Sequence, residues 1–301
     1  MDRNSVDWQG PMPAVTTPFH DDGRIDEAGF AANLDRLIDA GATGIVVGGC
    51  TGEFWALTHE ERKRLYEVAR DAIAGRVTLI VGTGAVTVDE TVTLTRHAEA
   101  SGCDGALILP PYFVKLADEE IFAHFADVTA QVGLPVLLYN IPGNAVNALS
   151  PALVARLADL DPVVAVKESS GDWNNYYATH LAVHERLRVF CGPSSVFGVP
   201  AVQLGADGTI DCFPNVWPRG GLDLYFAAQR GENAAAAELQ ATGRKLTDLF
   251  TSEGRTLYPA TKAAMDMMGF PGGGTPRRPL RRLTGAPLDG LKSGLESLGL
   301  L

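Results

Sequence analysis

The stretch VVAVKESSGD, residues 163–172, decides how the whole chain is read. Four apolar residues run without a polar break into Lys167. A half-buried strand alternates apolar and polar residues, whereas a strand covered on both faces carries a continuous run. A lysine closing such a run needs a reason, because an ammonium group is costly to bury without a partner.

Seven further runs share this form. They are PAVTTPF from Pro13, GIVVGG from Gly44, VTLIVGTG from Val77, GALILP from Gly105, PVLLYN from Pro135, RVFCG from Arg188 and GTIDC from Gly208. Helical patterns fill most of the intervals. DEAGFAANLDRLIDAG has apolar residues at helical spacing, an acidic start and Gly41 as its stop signal. THEERKRLYEVARDAIAG offers Thr58 as N-cap with Glu61 three residues later, the spacing of a capping box. TVDETVTLTRHAEASG and ADEEIFAHFADVTAQVG follow suit.

Eight strand–helix units imply an α/β fold, a closed (β/α)8 TIM barrel rather than an open sheet. After about Leu222 the strands stop and helical patterns continue to the end of the sequence, with FPGGGTPRRP as an irregular connector. The expected division is a barrel over 1–222 and a C-terminal helical extension over 223–301.

Composition excludes several classes of function. The formal net charge is −11, which argues against nucleic acid as partner. The exception is PRRPLRR, with Arg277, Arg278, Arg281 and Arg282, read as a solvated tail or subunit contact, or alternatively as an anion-binding patch. Cys50, Cys103, Cys191 and Cys212 form no C-x-x-C pair, which fits reduced thiols in a cytoplasmic protein. The start, MDRNSVDWQGPMP, has no signal pattern, and the longest uncharged run, about 131–155, is broken by prolines, so no membrane partner is expected.

In a barrel of this kind the chemistry sits at the C-terminal ends of the strands. That rule selects Thr16 and Thr17, GGCTGE (48–53), GTG, PPYF, YNIPGN, KESSG, CGPSS and DCFPN, where the only ionisable residues noted are Glu53, Lys167, Glu168 and Asp211. Of six lysines, Lys167 alone ends a predicted central strand. A desolvated lysine has a lowered pKa, and neutral amine attacks a carbonyl to form a Schiff base. The alternative is a buried structural ion pair, for which Glu53 is the candidate partner. The glycine-rich turn GGCTGE suits a carboxylate or phosphate, with Thr51 adding a hydroxyl. Tyr139 ends the fifth run, and its phenol either moves a proton or simply packs. GTGAVT lacks the third glycine of a dinucleotide fingerprint. His180 and His184 in HLAVH lack a visible third ligand and are read as a solvated helix face, so no metal site is expected.

Taken together, GxTGE after the second run, YNxP after the fifth and KESSG after the sixth resemble the dihydrodipicolinate synthase / N-acetylneuraminate lyase family of Schiff-base (class I) aldolases. AVTTPF, LTHEER, VGTGA, GCDGALILPPY and GLPVLLYNIPG add to the resemblance. It implies that Lys167 forms an imine with a 2-keto acid such as pyruvate, and that Tyr139 shuttles protons. Thr51 and the backbone at Cys50 would hold the substrate carboxylate, with Gly49 and Gly52 permitting close approach. No cofactor is implied beyond the covalent imine, and a homo-oligomer, tetramer or dimer, is implied as well. The sequence also departs from the synthase pattern. Cys50 replaces a hydroxyl residue, Phe113 a second tyrosine of the proton relay, and Asn144 an arginine that binds the second substrate. Asn144 cannot make a bidentate charged contact, and phenylalanine cannot carry a proton. Ile210 and Asp211, with Phe213 and Trp217 nearby, are expected to shape substrate choice, with packing or capping as their alternative. The resulting expectation is a lyase making or breaking a C–C bond in a 2-keto acid. GEFWALT and YNIPGNAV resemble the keto-deoxy-sugar-acid dehydratases, which use the same imine, and a non-catalytic 2-keto acid binding protein is a third possibility.

Overall fold

The structure is a computed structural model that describes all 301 residues. Eight parallel strands follow one another round a barrel: β1 (Gly10–Pro11), β2 (Gly44–Val47), β3 (Thr78–Gly82), β4 (Gly105–Ile108), β5 (Val136–Asn140), β6 (Val163–Glu168), β7 (Arg188–Cys191) and β8 (Gly208–Thr209). The first strand begins three residues before the expected run at Pro13 and is only two residues long. Pro11 and Pro13 have no N–H to give the ladder, which interrupts its regular pairing. The seam still closes. Met12 donates its backbone N–H to Thr209 of β8 and Ala14 donates to Asp211 just beyond that strand, and Val15 and Pro13 exchange backbone hydrogen bonds with Val46.

Alternation along the strands, hidden in the continuous runs, sorts the side chains into two layers. Val46, Ile80, Leu107, Leu137, Ala165 and Phe190 fill the barrel. Ile45, Val47, Val81, Ile108, Leu138, Val166 and Val189 pack outward against the helices. The interior is therefore a packed core rather than a pore. The helices Glu27–Asp39, His59–Ile73, Val88–Ala100 and Asp118–Thr129 lie where the sequence pattern puts them. Thr58 and Glu61 form the reciprocal capping box. No helix is long and apolar enough to cross a membrane.

Residue 222 lies inside the helix Pro218–Gln229, which packs beside β1 and completes the outer ring. The chain leaves the barrel only after Gly231, into the helices Asn233–Thr251, Leu257–Met267 and Ala286–Ser297. These enclose a separate apolar cluster of Leu246, Phe250, Ala260, Met265, Leu291 and Leu295, which Cys212 and Phe213 join from the barrel.

Polar groups lock this extension onto the strand ends. Glu53 and Lys262, 0% and 1% exposed, form an ion pair at 2.5 Å. Glu53 also accepts the Arg277 backbone N–H at 2.8 Å. The Arg277 guanidinium pairs with Glu61, and the Thr16 hydroxyl donates to the Gly272 carbonyl. Of the four connector arginines, Arg277 is thus folded in rather than solvated, whereas Arg282 pairs with Asp21 on the exposed surface. His180 and His184 are likewise not a solvated face. His180 is 5% exposed and stacks on His184 with ring centroids 4.8 Å apart, because Tyr177 and Trp173 continue the stack along the same helix.

Removing one partner of a buried ion pair strands the other charge. Lys262→Met is therefore expected to lower the unfolding free energy by about 3–5 kcal/mol, measured by urea denaturation.

Candidate active site

Strand pairing sets Tyr139 of β5 directly beside Lys167 of β6. Both follow the inward-facing register of Leu137 and Ala165, so they stand at the barrel mouth above its packed interior. The Lys167 ammonium lies 4.3 Å from the centre of the Tyr139 ring. Lys167 is 6% exposed and belongs to no ion pair. Glu53, its candidate partner from the sequence, belongs to Lys262 instead. Glu168 points the other way, accepting hydrogen bonds from the Asn140 and Asn175 side chains and the Ser170 N–H. Burial lowers the Lys167 pKa, opposed by the nearby Cys50, Asp211 and Cys212. Burial also pushes the Tyr139 phenol well above the ordinary tyrosine value.

Lys167 opens into a cavity of about 190 Å³. Tyr139, Cys50, Thr51, Ile210 and Asp211 line it, as the sequence suggests, together with Ser169, Ser195 and Phe213. The GGCTGE loop forms one wall. Gly48 takes the left-handed conformation (φ +65°), and a Cβ on Gly82 would lie 2.1 Å from the Gly48 carbonyl oxygen, so the turn is pressed against the next strand. A Cβ on Gly52 would come within 3.2 Å of backbone atoms, whereas one on Gly49 would meet only Leu107, at 3.7 Å. The close approach thus rests on Gly48, Gly52 and Gly82 more than on Gly49. Thr17 anchors the loop through the Gly52 carbonyl. The N–H groups of Gly52 and Glu53 serve the carbonyls of Gly49 and Cys50, leaving those of Cys50 and Thr51 without a backbone acceptor. A loop with two unused amides and a threonine beside a lysine can hold a carboxylate.

The Asp211 carboxylate lines the cavity, but it accepts hydrogen bonds from the Ser194 hydroxyl and the Ser195, Cys212 and Phe213 N–H groups. Capping therefore occupies both of its oxygens. Phe213 packs edge-on against Phe250, and Trp217 joins the extension's core rather than the cavity. Phe113 is 89% exposed, at φ +75°, and lines no part of the cavity. Asn144 lines an adjoining chamber of about 360 Å³, walled by Phe54, Trp55, Tyr112 and Tyr258.

The strand-end rule gives no sign of what the extension supplies: Thr247, Thr251, Leu257 and Tyr258. Tyr258 lines both chambers, and the Cys50 thiol has both the Tyr139 and Tyr258 hydroxyls as neighbours. Tyr258 and Lys262 are one helical turn apart, so the Lys262–Glu53 pair brings Tyr258 over Cys50. The sequence does contain this spacing, but no local rule places that helix across the barrel mouth.

The sequence model of the dihydrodipicolinate synthetase family matches residues 7–297. An uncharacterised DapA-like lyase of Rhizobium meliloti is 35% identical over 272 residues, covering 89% of each chain. A 4-hydroxy-tetrahydrodipicolinate synthase of Thermus thermophilus is 40% identical over 236 residues, covering 77% of this chain and 78% of its own. Among solved structures, YagE of Escherichia coli K12, a prophage protein of the dihydrodipicolinic acid synthase family in complex with pyruvate, superposes with a TM-score of 0.92 at 31% identity, covering 98% of this chain and 100% of its own.

Unfolded, Lys167 has the ordinary lysine pKa of about 10.4; folded, its pKa is lower. Between those values the unfolded chain binds more protons, so stability rises with pH through that window. Replacing the buried amine by a thioether removes the penalty. Lys167→Met is expected to resist urea better than wild type near neutral pH, with the difference shrinking as the pH approaches the ordinary lysine value. A less stable variant would show that Lys167 has a compensating partner.

Proposed function

The chain belongs to the dihydrodipicolinate synthetase family, whose members are class I aldolase-type lyases, and we propose that it acts on pyruvate or a longer 2-keto acid through an imine on Lys167. The observation that carries this reading is the unpaired, desolvated Lys167 amine beside Tyr139 in a cavity of its own. Burial lowers the cost of the neutral amine, the form that attacks a keto carbon. Water leaves, and the resulting iminium serves as the electron sink through which a bond at C3 is made or broken. That role needs no metal or organic cofactor.

Tyr139 is the acid–base group in this reading. It stands next to Lys167, and its raised pKa keeps the phenol protonated and able to donate. The amides of Cys50 and Thr51, with the Thr51 hydroxyl, hold the substrate carboxylate. Ile210 and Ile141 bound the methyl side of the cavity, and Asp211 holds the loop that closes it. The adjoining chamber offers Asn144 and four aromatic walls but no cation. This supports a carbonyl partner other than one held by a charged clamp, and hence a reaction other than lysine-pathway synthesis. The exposed apolar tip of Phe113 and Val114 supports a homo-oligomer.

Borohydride reduction in the presence of pyruvate tests the central step. A single adduct is expected on the peptide carrying Lys167, and none in Lys167→Arg. Absence of any adduct, with pyruvate and with longer 2-keto acids, would sink the proposal. Tyr139→Phe is expected to lower kcat by about 10²–10⁴-fold; unchanged turnover would remove Tyr139 from the acid–base role.

A further inference from the structure

Three features of the two chambers take no part in the chemical steps above. The Tyr258 phenol, supplied by the extension, lines the cavity that holds Lys167 and faces the adjoining chamber as well. The Cys50 thiol has both the Tyr258 and Tyr139 hydroxyls as neighbours. Asn144 approaches the Tyr258 oxygen with its amide nitrogen, at 3.5 Å. Tyr258 is also built in place. Its ring packs against Trp55 with centroids 5.2 Å apart, and the buried Glu53–Lys262 pair anchors the next turn of its helix.

We propose that Tyr258 is a second catalytic phenol, which protonates the oxygen of the incoming carbonyl while Tyr139 handles the proton at C3. The inference rests on the imine reading of Lys167. Its warrant is position: a C–C bond at C3 needs a donor at the oxygen one carbon beyond, on the side away from the imine nitrogen. Tyr258 lines both chambers and so stands at their junction, where a carbonyl partner enters.

The proton count closes without an outside reagent. Tyr139 gives its proton to the departing water as the iminium forms, and the phenolate left behind takes the C3 proton as the enamine forms. The C3–C4 bond then forms, the carbonyl π pair moves to oxygen, and that oxygen takes the Tyr258 proton. Cys50 returns a proton to Tyr258 and takes one from Tyr139, so the proton lost from C3 ends on the new hydroxyl. Cleavage is the same sequence reversed. Burial raises the pKa of all three groups, so the resting chain holds every proton it needs to pass on.

Two measurements separate this step from imine formation. Exchange of the pyruvate C3 protons in deuterated water needs only Lys167 and Tyr139. Condensation is followed with pyruvate and three acceptors: glyceraldehyde, succinic semialdehyde and benzaldehyde. Tyr258→Phe, checked by thermal unfolding for an intact fold, is expected to keep the exchange and to lose about 10²–10⁴-fold in condensation with whichever acceptor wild type uses. Cys50→Ala is expected to slow condensation, with Cys50→Ser restoring it, because serine can pass a proton and alanine cannot. Equal loss of exchange and condensation in Tyr258→Phe would overturn the assignment, and so would unchanged condensation. Exchange in wild type without condensation of any acceptor would overturn it too, since Tyr258 would then have no oxygen to serve. No exchange in wild type would instead defeat the imine reading beneath it.

Discussion

The buried ion pair of Glu53 with Lys262 joins two parts of the chain more than two hundred residues apart, and the shape of the site depends on it. Glu53 closes the turn after β2. Lys262 sits in the second helix of the extension. Neither charge can be stranded in the interior without a large cost, so the pair fixes how the extension lies on the barrel. Cys50 is three residues before Glu53, and Tyr258 is four before Lys262. One electrostatic contact therefore registers a thiol of the barrel against a phenol of the extension. Arg277 strengthens the junction through its backbone bond to Glu53 and its guanidinium on Glu61.

A second constraint runs the other way. Lys167 is buried without a counter-ion, which the fold tolerates at some cost in stability. The strands around it supply no carboxylate to relieve that cost: Glu168 is turned to the helix layer, Glu53 is engaged by Lys262, and both oxygens of Asp211 are occupied by capping. The cavity thus combines an amine biased towards neutrality with protonated phenols and a thiol. Such a set suits carbonyl chemistry, where the nucleophile must be neutral and the donors must hold their protons.

Much of this was legible in the residues. The eight runs, their helical intervals, the Thr58–Glu61 box and the placing of Lys167, Tyr139, Cys50 and Thr51 at strand ends follow from short-range pattern, because strand alternation and capping are local rules. The errors have equally physical causes. Pro11 and Pro13 disguise the first strand. The boundary at 222 cuts a helix because the eighth barrel helix and the extension share one helical periodicity. His180 reads as solvated because a short polar-looking HLAVH motif does not reveal the aromatic stack that buries it.

By itself the sequence determined the barrel, the strand ends and the lysine that closes the sixth strand, since each depends on residues near one another in the chain. Only the tertiary structure decided which charges are partners and which walls enclose the cavity. It gave Glu53 to Lys262 rather than to Lys167, turned Phe113 outward, and brought Tyr258 from the far end of the chain to within reach of Cys50. Those outcomes depend on long-range desolvation and packing. A buried charge finds whichever opposite charge the closed fold presents to it, and no local spacing encodes that choice.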